Sequence, residues 1–176
     1  GYGLILSRAG DRKSAIIHIK KALEKKPFYQ MFIRDLGKTY YLDGQYQKAF
    51  TLLKSSVSIP PFDAEGELFL ARTLKKLDRH EDAVIAFQKI IGEKPYYSKT
   101  YYYLGKIYGE MGQLGEAHYY LGTFYKYERR YSNAVFHLKK ALDHLTDSER
   151  IKSTEKMLEK LTGDKETYSK RKSEAS

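Results

Sequence analysis

The sequence predicts an all-α solenoid built from antiparallel helix pairs, about ten helices in all, and two observations predict it. The first is a shared period: Ala15, Ala49, Ala83 and Ala117 recur at one constant step, and Pro27, Pro61 and Pro95 recur at the same step. Two further columns keep it, small residues at Gly3, Gly37, Ala71 and Gly105, and turn residues at Gly10, Gly44, Asp78 and Gly112. Independent columns sharing one period of this size are the mark of a supersecondary unit that stacks on copies of itself. The second is composition: 176 residues with only 4 prolines, 31% charged and 41% apolar residues describe a helix-rich chain long enough to bury a core.

Each column has a physical cause. Glycine inside a helix costs about 1 kcal/mol against alanine, so its return at Gly37 and Gly105 asks for close packing. A small residue on the first helix of a pair and Ala49 or Ala117 on the second let the two approach. Leu36, Leu70 and Leu104, with Tyr40, Leu74 and Tyr108, fill the space around that contact. Gly10, Gly44 and Gly112 stand where the turn needs a positive φ. The prolines stop the second helix, since proline disfavours helical geometry in the residue before it and cannot continue the ladder.

In chain order the repeats fall at about 1–29 (truncated), 30–63, 64–97 and 98–131. The register then slips. Leu121, Gly122, Tyr125, Ala134, Leu138 and Ala141 repeat the pattern only half a period after the previous copy, giving a shifted repeat over 115–145. Its first helix also serves as the second helix of the repeat before it. A capping helix is expected over 148–161, opened by the capping-box pattern Thr146-x-x-Glu149 and apolar on one side through Ile151, Met157, Leu158 and Leu161. The array thus spans 1–162, and 163–176 reads as a disordered polar tail.

These residues resemble the tetratricopeptide-repeat (TPR) family, whose pattern is W-x2-L-G-x2-Y, A-x3-F and P at a 34-residue period. Leu36-Gly37, Tyr40, Ala49, Leu53 and Pro61 meet it. So do Leu70-Ala71, Leu74, Ala83, Phe87 and Pro95, then Leu104-Gly105, Tyr108, Ala117 and Leu121. No tryptophan occurs; Ile33, Glu67 and Tyr101 hold its place, and Glu67 is a poor match. The resemblance implies a right-handed superhelix whose inner wall is made by the first helix of each pair. It places Met31, Arg34, Lys38 and Tyr41 on that wall, then Leu68, Arg72 and Lys75, then Lys99, Tyr102 and Lys106, then Tyr119, Thr123 and Lys126. Lys38, Arg72 and Lys106 stand one period apart and are expected to form a basic stripe with tyrosines between. Such a stripe suits a protein or peptide segment bearing carboxylates. Solvation of an exposed helix face by long cationic side chains is the competing reading. The lone asparagine, Asn133, lies off the wall, which argues against a Lys/Asn carboxylate clamp.

No catalytic pattern is present. His80-Glu81 lacks a second histidine ligand, because Val84 stands where a zinc helix needs one. His137 and His144, seven apart, read as partly exposed surface histidines on one helix face. Gly109, Gly112 and Gly115 belong to turns and packing, not to a phosphate loop, as no strand precedes them. Neither a cofactor nor a small-molecule substrate is implied. The net charge of +10 leaves nucleic acid as a rival partner class, but base-reading helical repeats usually run at a slightly longer period with paired polar readers. The absence of cysteine excludes disulfides and thiolate metal sites, and fits the cytoplasm and oxidising compartments alike. No apolar run is long enough to span a bilayer.

A second resemblance rests on Tyr2-Gly3-Leu4-x-Leu6-x-Arg8-x-Gly10, Tyr108-Gly109, Gly112 and the slipped helix from Ala117 to Gly122. It is to the TPR arrays that follow the catalytic domain of BepA-like periplasmic zinc metallopeptidases. It implies docking of substrate or assembly machinery beside an upstream protease, in the periplasm. The chain lacks an initiator Met and starts inside a repeat, so a piece of a longer protein is expected.

Overall fold

The structure, a computed structural model, describes residues 11–174, with side chains described from 11 to 163. The first-repeat residues Tyr2, Gly3 and Leu6 and the turn residue Gly10 lie outside the described residues. Nine helices and no strand occur among those described: α1 (Arg12–Lys25), α2 (Gln30–Leu42), α3 (Tyr46–Val57), α4 (Ala64–Lys76), α5 (His80–Glu93), α6 (Ser98–Glu110), α7 (Leu114–Tyr127), α8 (Tyr131–Leu142) and α9 (Ser148–Glu174). The chain divides between Lys94 and Pro95 into two compact units, close to the repeat boundary expected at 97/98.

In the first unit α2 pairs with α3 and α4 with α5, while α1 is the second helix of the truncated repeat. The close approach asked for by the glycine column is present. A Cβ built on Gly37 meets the Leu53 side chain at 2.7 Å, so α3 lies too near α2 at this point for any larger residue. Ala15, Ala49, Leu53, Ala71, Ala83, Phe87 and Ile90 are all fully buried. Asp63 starts α4 by accepting hydrogen bonds from the backbone N–H of Glu65 and Gly66, each at 3.1 Å, and this satisfies two of the four orphan donors of the helix. α1 and α5 stop two residues before their prolines and α3 four residues before Pro61; the Pro60–Pro61 bond is cis.

The second unit holds α6 to α9, and the register slip is visible in its contacts. A Cβ built on Gly105 of α6 would meet Leu121 of α7 at 2.7 Å, and one built on Gly122, on that same α7, would meet Leu138 of α8 at 2.6 Å. Helix α7 therefore presents the leucine of one repeat and the glycine of the next, on different faces. Beyond it, Ala134, Leu138 and Leu161 form a core with Tyr125, Val135, Met157 and Leu158 around it. Two details of α9 differ from expectation. Asp147, not Thr146, caps it, accepting from Arg150 N–H at 2.8 Å, because a carboxylate is the stronger acceptor and stands one residue nearer the first turn. The helix also continues to Glu174, past Leu161 and through the stretch expected as a disordered tail. No proline follows it, Lys, Glu and Arg favour helix there, and Gly163 alone costs only about 1 kcal/mol.

Four of the helix-to-helix turns share one hydrogen-bond motif. At the first, Gly44 N–H donates to Tyr41 O and Gln45 N–H to Tyr40 O; the same pair recurs at Asp78/Arg79, Gly112/Gln113 and Arg129/Arg130. The first two steps between them are full periods and the last is half of one, so the turn keeps the slipped register too. The motif needs a left-handed residue, which is glycine at Gly44 and Gly112 but Asp78 (φ 57°) and Arg129 (φ 57°) elsewhere. A side chain in that conformation costs about 1 kcal/mol. Arg129→Gly is accordingly expected to stabilise the chain by up to about 1 kcal/mol, read as a raised urea midpoint; a lowered midpoint would contradict it.

Candidate functional site

The first helices of successive pairs supply the expected wall residues, and the two units treat them differently. In the first unit α2 and α4 lie side by side, and the cations between them are paired. Arg34 bridges Asp35 at 3.1 Å, Asp63 at 3.3 Å and Glu65 at 3.6 Å, and Lys38 bridges Glu65 at 2.5 Å. Asp63 thus both caps α4 and fixes Arg34 from the neighbouring helix. Burial works against the Arg34 charge, but Asp35, Asp63 and Glu65 together outweigh it and hold its pKa above the ordinary value. Burial likewise pushes the Asp35 carboxyl up, against the pull of Arg34 and Lys38. Arg72 stacks its guanidinium on Tyr41 at 4.8 Å and on Phe69 at 4.9 Å, and Lys38 lies over Phe69 at 5.1 Å. Tyr41 and Phe69 meet edge to face with centroids 5.5 Å apart. Lys75 is half-buried and Met31 is exposed, whereas Leu68 is buried in the core. The tyrosine and phenylalanine rings and the acidic network absorb what the sequence presented as the start of a basic stripe.

In the second unit the α6 face is open. Lys99, Tyr102 and Lys106 are all exposed, and their spacing of three and four residues sets them on one side of the helix. Neither lysine has an ion-pair partner among the described residues. Tyr102 is 38% exposed, and its ring leans on Phe124 of α7 at 5.3 Å. Tyr119 is half-buried under Arg150 of α9, whose guanidinium lies 4.4 Å from the ring centre and also pairs with Glu116 at 3.3 Å. Arg150 is held strongly charged; burial opposes its charge, and Tyr120, Glu116 and Tyr119 favour it more. Lys126 is half-buried beside Tyr127 at 5.4 Å, and Thr123 is buried.

Tyr101 and Tyr108 are packing groups. Tyr101 is buried, donates to Pro95 O at 2.7 Å and touches Tyr127 and Tyr120; burial first, then its tyrosine neighbours, push its pKa up. Tyr108 stacks on Tyr120, with centroids 5.3 Å apart, and burial raises it to about 12.

Asp63, Glu65, Phe69, Phe124 and Arg150 were not among the expected wall residues. One signal for them was available: counting one repeat on from Asp63 and Glu65 reaches Tyr97 and Lys99. The acids that neutralise α2 are an aromatic and a cation at the equivalent positions of α6. Of the two histidines expected on one helix face, His137 is partly exposed as expected and His144 is off the helix. His144 lies past the end of α8, and His137 is half-buried against His118 of α7, because α7 and α8 pack closely enough at Gly122 to bring the rings together. No group of three or more His, Cys, Asp or Glu residues is arranged to hold a metal ion among the described residues, and no described helix is long and apolar enough to cross a membrane.

No protein-family model matches the chain. Among curated proteins it is similar to the TPR repeat-containing protein YpiA of Bacillus subtilis (strain 168), 26% identical over 95 residues that cover 54% of this chain and 22% of that protein. The match therefore spans less than a quarter of that relative's length. Among solved structures it is similar to MamA, with 25% identity, a TM-score of 0.68 and coverage of 97% of this chain and 98% of that one. It also shares the fold of YrrB, described as a TPR protein with an unusual peptide-binding site, at 19% identity and a TM-score of 0.59 over 88% of this chain and 89% of that one.

Proposed function

We propose that this tetratricopeptide-repeat chain is a protein-interaction scaffold, and that it takes a carboxylate-bearing peptide segment against the exposed face of α6. The observation that carries the reading is the contrast between the units. Arg34 and Lys38 already have carboxylate partners at 2.5–3.6 Å, whereas Lys99 and Lys106 stand exposed beside Tyr102. A partly exposed aromatic ring flanked by solvated cations gives an apolar contact and two charge-assisted hydrogen bonds without breaking any internal ion pair. Tyr119 and Lys126, in the same unit, are half-buried and serve as flanking contacts. The peptide-binding character in the description of YrrB supports the class of ligand by likeness of fold alone.

The test is a titration with a fluorescently labelled glutamate-rich peptide at low and moderate salt. The double substitution Lys99→Glu with Lys106→Glu is expected to weaken binding at least about tenfold, from two lost charge contacts of roughly 1 kcal/mol each, with the unfolding midpoint unchanged. Lys38→Ala should instead lower stability and spare binding. Unchanged affinity in the double variant would sink the α6 assignment. The same basic and aromatic pattern suits single-stranded nucleic acid, so retention of a labelled oligonucleotide, lost in the double variant while the peptide does not bind, would favour that class. Attachment to an upstream zinc metallopeptidase is a separate proposal, drawn from the second resemblance; an HExxH helix in the sequence preceding Gly1 in the parent protein would support it.

A further inference from the structure

Helices α7 and α8 meet through a pair of histidines that the peptide-binding face does not use. His118 Nδ1 and His137 Nδ1 are 2.9 Å apart, with ring centroids at 5.1 Å. Two neutral imidazoles can make this contact only one way, with one Nδ1–H donating and the other Nδ1 accepting. The surroundings fix both rings. Tyr125 stacks on His137 at 5.2 Å, Phe136 meets its edge, and His144 stacks with His118 at 6.5 Å.

We propose that the His118–His137 contact is an acid-sensitive clasp between α7 and α8, closed while the imidazoles are neutral and forced apart when both are protonated. A first proton leaves the contact intact, because an imidazolium can still donate to its neutral neighbour. A second puts an N–H on each facing nitrogen, with two positive charges about one hydrogen bond apart. The doubly protonated pair then has no acceptor between the rings, and Asp143, whose carboxylate favours the charge on His118, is itself paired with Lys140.

The charged groups around the pair favour the neutral form. His118 is held below its ordinary pKa by burial first, then by His144 and Lys140, with Asp143 opposing; His137 is held below by burial and by His118 itself. No charged group of α6 or α9 contributes among the described residues. Lys140 is engaged with Asp143 at 3.1 Å, which blunts both of their effects. Lowered histidine pKa values in the fold mean that the unfolded chain binds more protons. The stabilisation is therefore complete above the unfolded histidine value of about 6.5 and is lost as pH falls below it. The linkage slope is about tenfold in the folding constant per pH unit for one excluded proton, and approaches about a hundredfold where both are excluded.

Hydrogen exchange on the whole chain tests this, followed from about pH 7.5 down to about pH 5 and corrected for intrinsic rates. Amide protection in α7 and α8 should fall at least about tenfold per pH unit more steeply than in the α2–α3 pair, and His137→Asn should remove the excess. Equal pH slopes in the two regions would overturn the clasp. Should His137→Asn fail to fold, the Cε1 proton signals of His118 and His137 in the native chain decide. Titration of both below the ordinary histidine range, in two coupled steps, supports the proposal; independent titration at the ordinary value overturns it.

Discussion

Replacing Gly115 by alanine is expected to destabilise the chain by about 2 kcal/mol through overpacking, although alanine is the better helix former. Gly115 sits in the first turn of α7, where the connection between α8 and α9 crosses it. A Cβ there would meet His144 C and Leu145 N, each at 2.9 Å, and His144 O at 3.0 Å. These are backbone atoms. They cannot swing aside as the end of a leucine can, so the overpacking penalty of about 1–3 kcal/mol or more outweighs the helix gain of about 1 kcal/mol. Gly109, on α6, is the internal control. Its nearest obstacle is Ala117 Cβ at 3.8 Å, an ordinary contact, and Gly109→Ala should stabilise by about 0.5–1 kcal/mol. Urea unfolding of the two variants measures both; a Gly115→Ala protein as stable as the parent would show that the α8–α9 connection yields freely.

The second large effect lies at Glu67, where the family pattern has tryptophan. The residue is 2% exposed, and its carboxylate is bonded to Lys89 Nζ of α5. Lys89 reaches in from a position where its side chain is 51% exposed, with its ammonium also over Phe62 at 5.7 Å. Removing the cation alone strands a buried carboxylate. The usual cost of breaking a buried pair is about 3–5 kcal/mol; because Lys89 is half-exposed, about 2–3 kcal/mol is expected for Lys89→Met. Glu67→Leu removes the charge that needs compensation and leaves Lys89 free to turn to water, so it should fall within about 1 kcal/mol of the parent. Thermal or urea unfolding of the two single variants separates these outcomes. A Glu67→Leu loss as large as that of Lys89→Met would mean that the ion pair itself, not the stranded charge, holds α4 to α5.

The sequence carried the backbone of this result more fully than its surface. The period is legible because its columns are steric: a side chain on Gly37, Gly105 or Gly122 would meet a leucine that leaves it no room, and such a contact has one sequence solution. The half-period slip was legible for the same reason. Glu67 was recognised as out of pattern, but its partner was not, because Lys89 lies on the following helix and any surface lysine of α5 would have looked the same. The cation column was the weakest inference. Lys38 and Lys106 occupy equivalent positions, yet Lys38 is neutralised by Glu65 from the neighbouring helix and Lys106 is open. Charge state on a repeat surface depends on pairs of columns, and a single column read alone cannot supply it. Polarity alone suggests disorder after Gly163, whereas the Lys, Glu and Arg residues there favour the helix that runs to Glu174.

The double contact of α7 bears on how the second unit comes apart. In an array of self-contained helix pairs, the interface between pairs is a natural seam, and terminal pairs can fray while the rest persists. Here α7 answers to α6 through Leu121 and to α8 through Gly122, so no seam separates one pair from the next. Opening α8 strips one face of α7 and leaves it attached by the other. The expected signature is a single protection factor shared by α6, α7 and α8, a foldon of three helices where the first unit has the pairs α2–α3 and α4–α5.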